Sequence, residues 1–201
     1  MSYRHFLADH LQAMPKRQRT EFVQGLSGIK SLFALITSDG NTLNIAPFNS
    51  IVHVSSSPAR IGYISRPDNS HRHTLQNIIA HQSFSINSVR EEDLEEVVAC
   101  SENLPSNHSE FEGKHIEPTN PNHLPIPALQ HADVQIFCEY EEHLTIPSSQ
   151  GILVIGRIQE VIIRETFYQG EHQEAWKDLV LSQGLEHFYI KGKRRKINYL
   201  H

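Results

Sequence analysis

Short apolar segments alternate with turn residues through the first part of the chain. The apolar run Leu32–Ile36 is followed by the turn-forming residues Ser38–Asn41 and then by a second segment, Thr42–Ala46, a pattern typical of a β-hairpin. Two more strand-sized segments, Ser50–Val54 and Ala59–Ile64, are separated by three serines and a proline. Strands at intervals of about 8 to 12 residues favour an antiparallel sandwich or barrel over a sheet with helical crossovers. We therefore predict a mainly β fold.

Helices and further strands are predicted along the rest of the chain. Apolar residues at helical spacing, interrupted at Pro15, indicate a helical extension over residues 1–27. Further helices are predicted over Thr74–His81 with Thr74 as its N-cap, over Glu91–Val98, and over about His172–Leu181, which contains Trp176. Further strands are predicted over Phe84–Val89, Val134–Tyr140, Gly151–Ile163 with a bend near Gly156, and Phe188–Ile190. Five prolines in residues 101–128 indicate a long irregular loop within a single domain.

The composition suits one folded domain in a reducing compartment. The chain has 201 residues, of which 38% are hydrophobic and 20% are charged, and this is enough to bury a core. The longest aliphatic run, Ile152–Ile155, is far shorter than the roughly 18 residues of a membrane helix, and the first residues lack the apolar segment of a secretory signal. Cys100 and Cys138 are too few for a disulfide scaffold. We expect a cytoplasmic protein that does not bind a membrane.

The charge distribution and the motif search narrow the function classes. Residues 191–201 hold five basic and no acidic residues, whereas the other 190 residues hold 13 basic and 23 acidic ones. This balance argues against a nucleic-acid-binding face, and the basic tail is interpreted as a solvated segment or, alternatively, as an attraction site for nucleic acid or a nicotinamide phosphate. We find no Gly-x-Ser-x-Gly, His-Glu-x-x-His or P-loop motif. His71 and His73 lie close in sequence but lack a third metal ligand, so no metal site is expected.

Eight short segments follow one another in an order that matches a known family. The first four are Asn44–Ser50, Pro58–Arg66, His73–Ile78 and Phe84–Asn87. The later four are Ser109–Glu112, Cys138–Glu139, Leu153–Ile158 and, more loosely, Gly184–Tyr189. In order and spacing they resemble the flavin reductase-like family of FMN-binding split barrels. The sequence departs from that family at His73, where many members have lysine or aspartate, and at Ser182–Tyr189, which stands in place of an Arg-x-Gly-x-x-Tyr pattern.

The resemblance implies both an architecture and a reaction. The architecture is a six-stranded antiparallel Greek-key split barrel with peripheral helices, forming a homodimer with FMN near the subunit interface. The reaction is hydride transfer from NADH or NADPH to flavin N5, after which a flavin-dependent oxygenase or another acceptor uses the reduced flavin. Because the cofactor makes and breaks the bonds, no residue is singled out as catalytic. Two alternatives stay open: a flavin carrier, sensor or electron-transfer protein without turnover, and a pyridoxamine-phosphate-oxidase-like or haem-handling relative.

The residue types in these segments suit flavin chemistry. A strand that ends in Ala46, Pro47, Phe48, Asn49 and Ser50 is expected to offer backbone N–H groups, because proline interrupts regular pairing. Arg66 offers a bidentate cation for a phosphate, and Thr74 at a helix N-terminus favours an anion. We expect the phosphate to meet Ser65, Arg66 and Thr74 together, with His73 helping when it is protonated.

Each of these residues also has an ordinary structural interpretation. The Asn44–Ser50 segment is equally typical of a bulged strand and turn, Thr74 of a plain N-cap, Arg66 of a solvated loop and Asn77 of a helix surface. Trp176 is interpreted as a packing residue, and Phe48 with residues 101–128 is expected to shape the acceptor side of the site. The predicted cofactor-binding set is Asn44, Ala46, Pro47, Phe48, Asn49, Ser50, Ser65, Arg66, His73, Thr74 and Asn77.

Overall fold

The computed structural model describes residues 3–67, 73–102, 105, 108–120, 123–165, 179–184 and 186–190. The His71 position, most of the predicted helix around Trp176 and the basic tail 191–201 lie outside these residues. The helices are α1 (Ala8–Ala13), α2 (Lys16–Leu26), α3 (His73–His81) and α4 (Leu94–Ala99), the last preceded by a 3₁₀ turn over Glu91–Asp93. Among the described residues, none of the helices has the length and apolar character that crossing a membrane requires.

The strands account for most of the regular structure. In chain order they are β1 (Lys30–Ser31), β2 (Phe33–Ser38), β3 (Leu43–Phe48), β4 (Ile51–Ser56), β5 (Ala59–Ser65), β6 (Ser83–Ser88), β7 (Pro118–Thr119), β8 (Ala128–Leu129), β9 (Val134–Thr145), β10 (Ile152–Ile163), β11 (Leu181–Gln183) and β12 (His187–Tyr189). The predicted mainly β fold is confirmed. The predicted helix ending at Leu181 is wrong at that end, because Leu181 begins β11 and pairs with both Ser31 and Tyr189.

The main sheet has the order β3-β2-β6-β9-β10-β5-β4, and each neighbouring pair is antiparallel. Its two edge strands, β3 and β4, are joined by only two residues, Asn49 and Ser50. The sheet must therefore curl until its edges approach each other, although no ladder joins β3 to β4 in the described part of the chain. The sheet has seven strands instead of the predicted six, because Leu43–Ser56 crosses from one edge to the other and counts as two strands.

The curled sheet is buried on both faces along its centre. Its inner face holds a core cluster that includes Leu35, Tyr63 and Phe84, and α3 adds Leu75 and Ile78 to one end of this cluster. Its outer face holds a second cluster, which includes Ile36, Ile45 and Phe137 from the sheet, Val97 from α4, Ile116 and Ile126 from the long loop, and Leu129 from β8. The described part of the loop predicted over residues 101–128 is thus packed against the outside of the sheet, and it brings Ser109 and Glu110 next to β3.

The pairing of β10 with its neighbour β9 is irregular at Gly156, near the bend that the sequence predicts in β10. The pairing of β10 with β9 shifts register between Ile155 and Gly156, which marks a β-bulge. A Cβ atom at Gly156 would lie 2.5 Å from Cζ of Phe84. Only glycine lets β10 approach this core ring so closely.

Candidate functional site

The first turn of α3 meets the end of β3 at one corner of the sheet. The side-chain amide of Asn44, in β3, lies 3.2 Å from the Thr74 hydroxyl oxygen. One turn further along α3, Asn77 Nδ2 donates to Thr37 Oγ1 in β2 at 3.2 Å. The structure therefore brings three of the predicted residues together, and Asn77 is buried instead of lying on the helix surface.

The predicted N-cap at Thr74 is wrong. Helix α3 begins at His73, so Thr74 lies inside its first turn. Its hydroxyl is 3.2 Å from the Asn44 amide. Tertiary contact with β3, rather than capping, therefore accounts for the hydroxyl at this position.

A polar cavity of about 190 Å³ lies at this corner. Its lining comes from the turn between β2 and β3, from β3, from α3 and from the long loop; the residues are Asp39, Thr42, Asn44, His73, Gln76, Asn77, His108 and Glu110. The predicted residues Asn44, His73 and Asn77 are among them. The two carboxyl groups in the lining, Asp39 and Glu110, were not predicted.

Glu110 is a buried acid, with 6% of its surface exposed. Its Oε2 atom accepts a hydrogen bond from the backbone N–H of Ile45 at 3.2 Å, and the neighbouring Ser109 hydroxyl donates to the Leu43 carbonyl at 2.6 Å. These two bonds fix the loop to the outer edge of β3. Burial raises the pKa of Glu110 above its ordinary value, while the hydrogen bond from Ile45 and the charges of His73 and Lys114 act in the opposite direction.

The pKa of Asp39 is shifted in the opposite direction from that of Glu110, although both residues line the same cavity. Its Oδ1 atom accepts the backbone N–H groups of Thr42 at 2.7 Å and Asn41 at 2.8 Å within the hairpin turn. These hydrogen bonds lower the pKa of the exposed Asp39 carboxyl. Asp39 therefore stays ionised over a wide pH range and gives the cavity a fixed negative charge.

The segment Ala46–Ser50 differs from its predicted form. Pairing with β2 continues through Pro47 to Phe48, so the expectation that Pro47 interrupts the ladder is wrong. The reason is that β3 is an edge strand, where the missing N–H of proline can face away from the only partner strand. The Phe48 ring lies 4.8 Å from the ring of Tyr63, in the barrel core.

The polar side chains at the end of this segment bind the protein itself. Asn49 Nδ2 donates to Ser182 Oγ at 3.0 Å and to the Gly184 carbonyl at 3.2 Å. The Ser50 hydroxyl donates to the Ile64 carbonyl at 2.8 Å. Asn49 thus connects the barrel corner to β11, and the two side chains hold the chain where it crosses between the sheet edges.

The structure shows no direct contact between Thr74 and the other two residues predicted to bind the phosphate, Ser65 and Arg66, within the described part of the chain. Ser65 is buried at the end of β5, opposite Ile152, and Arg66 follows it on the surface. No hydrogen bond joins either side chain to Thr74 within the described residues, and residues 68–72 separate them from α3. A shared contact of Ser65, Arg66 and Thr74 with one anion stays a prediction.

The chain matches a known protein family over most of its length. Residues 26–179 match the family model described as the flavin reductase like domain. The chain belongs to the flavin reductase-like family. A protein of Bacillus subtilis, YwrF, whose function is uncharacterised, is 26% identical over 144 residues, which cover 69% of this chain and 70% of the relative.

Solved structures support the same fold. A protein of Shewanella frigidimarina, provisionally described as a flavin reductase with a split barrel domain, superposes with a TM-score of 0.90 at 27% identity, covering 98% of this chain and 100% of that protein. Nitrilotriacetate monooxygenase component B from Bacillus cereus has a TM-score of 0.83 at 18% identity, covering 97% of this chain and 100% of that protein. The split-barrel fold predicted from the sequence is confirmed, and the chain is a flavin-related oxidoreductase by family.

The donors and acceptors at the corner fit part of a flavin. The amides of Asn44 and Asn77 and the Thr74 hydroxyl can both donate and accept, as the polar edge of a flavin ring requires. The carboxylates of Asp39 and Glu110 can accept from ring N–H or sugar hydroxyl groups. The cavity of about 190 Å³ is smaller than the roughly 300 to 1,000 Å³ of complete ligand pockets, so it suits one end of the cofactor and not the whole.

Proposed function

We propose that this family member is an FMN-binding oxidoreductase, and specifically an NAD(P)H-dependent flavin reductase. The observation that carries the proposal is the contact between Asn44 and Thr74 at a polar cavity, because these two residues come from separate family-matched segments. FMN is the expected flavin, and NADH or NADPH is the expected electron donor. The reduced flavin serves an acceptor such as a flavin-dependent oxygenase; the fold neighbour from Bacillus cereus is itself a monooxygenase component.

The protein's own residues bind and orient the cofactor in this proposal. Asn44, Thr74 and Asn77 hold its polar atoms at the corner of β3 and α3, and Arg66 supplies a cation for its phosphate. His73, at the start of α3, adds positive charge when it is protonated. When bound, the flavin supplies the hydride-accepting chemistry at N5, while Phe48 and the long loop shape the space for the acceptor.

The proposed homodimer has a suitable surface on the barrel. Ile64 in β5 and Leu144 in β9 both lie opposite Leu153 of β10, so the three side chains form one row across the sheet. Leu153 and Val54 both approach Gly62, which places Val54 on the same outer face. Ile64 is 42% exposed and Leu144 is 52% exposed. We call Val54, Ile64, Leu144 and Leu153 the outer apolar face; a second copy of the chain is the proposed occupant.

Anaerobic spectroscopy tests the reductase proposal. Purified protein loaded with FMN is mixed first with NADH and then with NADPH, and the flavin band near about 450 nm is followed. Bleaching by either nucleotide supports the reductase. Absence of bleaching with both would favour a flavin carrier, and a Soret band in the purified protein would favour a haem-handling relative.

A further inference from the structure

The corner cavity between β3 and α3 carries negative charge. Its lining includes the carboxyl groups of Asp39 and Glu110 and, within the described part of the chain, no lysine or arginine. Backbone N–H groups of its own turn lower the pKa of Asp39, so this carboxyl is ionised at neutral pH. His73 and His108 also line the cavity, and they add positive charge only when they are protonated. A phosphate placed here would therefore face a fixed negative charge without a permanent positive one.

The neighbours of the Asn44 amide fix its orientation. Its Nδ2 donates to Glu110 Oε1 at 3.1 Å, and its oxygen accepts from the Ile45 N–H at 3.3 Å and from Thr74 Oγ1 at 3.2 Å. The reverse orientation would set the amide oxygen against a carboxylate and the amide N–H against another N–H donor, which is unfavourable in a buried position. Because the Thr74 hydroxyl has only one proton and donates it to Asn44, its oxygen can only accept a hydrogen bond from a ligand.

Asn77 adds a buried acceptor without a protein partner. The residue lines the cavity and is only 8% exposed. Its Nδ2 donates to Thr37 Oγ1 at 3.2 Å, and its Oδ1 accepts no hydrogen bond from the described residues. A buried amide oxygen without a donor is unfavourable, and a ligand that supplies the donor removes this penalty. The oxygen of Asn77 therefore indicates a ligand that donates hydrogen bonds.

We propose that the corner cavity binds an uncharged, hydrogen-bond-donating part of the ligand, with Asp39 and Asn77 as its acceptors, and that an anionic part of the same ligand binds outside the cavity. The volume of about 190 Å³ agrees with this division, because complete ligand pockets measure roughly 300 to 1,000 Å³. Arg66 does not belong to the lining, so it stays available for the anionic part.

The identity of the ligand rests on the proposed function. In FMN, two groups donate hydrogen bonds without carrying charge: the hydroxyl groups of the sugar-alcohol chain and the N–H of the ring. The phosphate at the end of the chain is the anionic part that the cavity excludes. Asp39 and Asn77 therefore determine which end of the chain lies at the corner, and the test separates the two donor groups.

Three flavins with different side chains test the proposal. FMN has the hydroxylated chain and the phosphate, riboflavin has the chain alone, and lumiflavin has a methyl group in place of the chain. Asp39→Asn removes the charge but keeps an oxygen that can accept the two N–H groups of the turn. Glu117→Gln is the matched control, since it removes an exposed charge that does not line the cavity. Fluorescence titration measures each affinity at about 0.15 M salt and about pH 8, where imidazole is ordinarily neutral.

We expect Asp39→Asn to weaken FMN and riboflavin alike, by about threefold to tenfold, because a charged acceptor becomes a neutral one. The ratio of the two affinities should change by less than about twofold, since salt screens the lost charge from a phosphate outside the cavity. An unchanged lumiflavin affinity assigns the cavity to the hydroxyl groups, and an equal loss assigns it to the ring N–H. Glu117→Gln should leave all three affinities unchanged.

Two results would overturn the proposal while leaving the proposed function intact. One is a selective gain for FMN in Asp39→Asn of about fivefold or more, the scale of the repulsion between two charges about 4 Å apart in water. The other is an unchanged riboflavin affinity in this variant. If the unmodified protein binds none of the three flavins, the proposed function is refuted, and the assignment of the cavity to a flavin is refuted with it.

Discussion

At the scale of single residues, burial and backbone hydrogen bonds shift the pKa values of two carboxyl groups in opposite directions, although both groups line one cavity. Asp39 is exposed and receives two backbone N–H groups, which lower its pKa. Glu110 is buried, and loss of solvent raises its pKa in spite of a backbone N–H donor. At a pH between their two pKa values, the Asp39 carboxyl is ionised and the Glu110 carboxyl is protonated. The stability of the fold is therefore expected to depend on pH through Glu110.

The raised pKa of Glu110 predicts a stability effect with a definite sign. The folded protein holds this proton at a pH where the unfolded chain, with an ordinary value of 4.5, has released it. The free energy of unfolding should therefore fall as the pH rises from 4.5 through the folded-state pKa. The fall is about 1.4 kcal/mol for each pH unit between the two values. Urea unfolding across this range should show the slope in the unmodified protein and a weaker slope in Glu110→Gln; parallel curves would show that Glu110 does not titrate differently on folding.

Arg66 carries a prediction about the phosphate. If its guanidinium binds the phosphate of FMN, Arg66→Ala should weaken FMN about tenfold to hundredfold, as for a charged hydrogen bond. Riboflavin lacks the phosphate, so its affinity should change little. Fluorescence titration of both flavins measures the difference. Equal losses for FMN and riboflavin would remove Arg66 from the phosphate site.

Some site residues could be predicted from the sequence and others could not. The residues that were missed owe their position to contacts between distant parts of the chain. Asn44, Thr74 and Asn77 lie in short family-matched segments, so their pattern is readable locally. Glu110 also lies in a family-matched segment, Ser109–Glu112, but its burial results from packing of the loop on β3, which the sequence pattern does not show. Asn49 is also placed by distant contacts, since its side chain donates to Ser182 in β11 and to Gly184 just after it, over a hundred residues away; its predicted contact with a cofactor stays a prediction.

At the scale of elements, the turn residues and Gly156 predicted where strands turn or lose regular pairing. The hairpin of β2 and β3 follows from its turn residues. Gly156 marks the point where the pairing of β10 with β9 shifts register. The path of β3 through Pro47 was missed, since a proline is compatible with a strand only when that strand lies at an edge. Edge position depends on the strand order of the sheet, and the local sequence does not contain that order.

Gly156 provides the prediction at this scale. An added methyl group would lie 2.5 Å from Phe84 Cζ and 3.0 Å from Cys138 Cβ. Gly156→Ala should therefore lower the free energy of unfolding by about 1 to 3 kcal/mol, the cost of overpacking a core. Gly25→Ala in α2 is the matched control, because its methyl group would meet only Gln183 Nε2, at 4.0 Å, and alanine favours a helix. Chemical denaturation of both variants measures the contrast, and an unaffected Gly156→Ala would show that the bulge relaxes freely.

At the scale of the whole molecule, closure of the barrel determines which apolar surfaces stay uncovered. The inner face is filled by core side chains and α3, and the outer face over β2, β6 and β9 is covered by α4 and the long loop. The outer apolar face on β4, β5, β9 and β10 keeps exposed aliphatic side chains. Uncovered aliphatic rows of this kind are typical of protein–protein interfaces.

Leu144 tests whether this face joins two copies of the chain. In a symmetric dimer one substitution changes both subunits, so Leu144→Glu would place two carboxylates in the same apolar contact. Burying them unpaired is unfavourable by several kcal/mol, and the dimer should dissociate at concentrations where the unmodified protein stays associated. Val23→Glu is the control, since Val23 is 47% exposed on α2, which contributes no residue to the outer apolar face. Sedimentation velocity distinguishes the outcomes. If the Leu144→Glu variant is still a dimer, the interface lies on another surface. If the unmodified protein is a monomer, the proposed homodimer is ruled out.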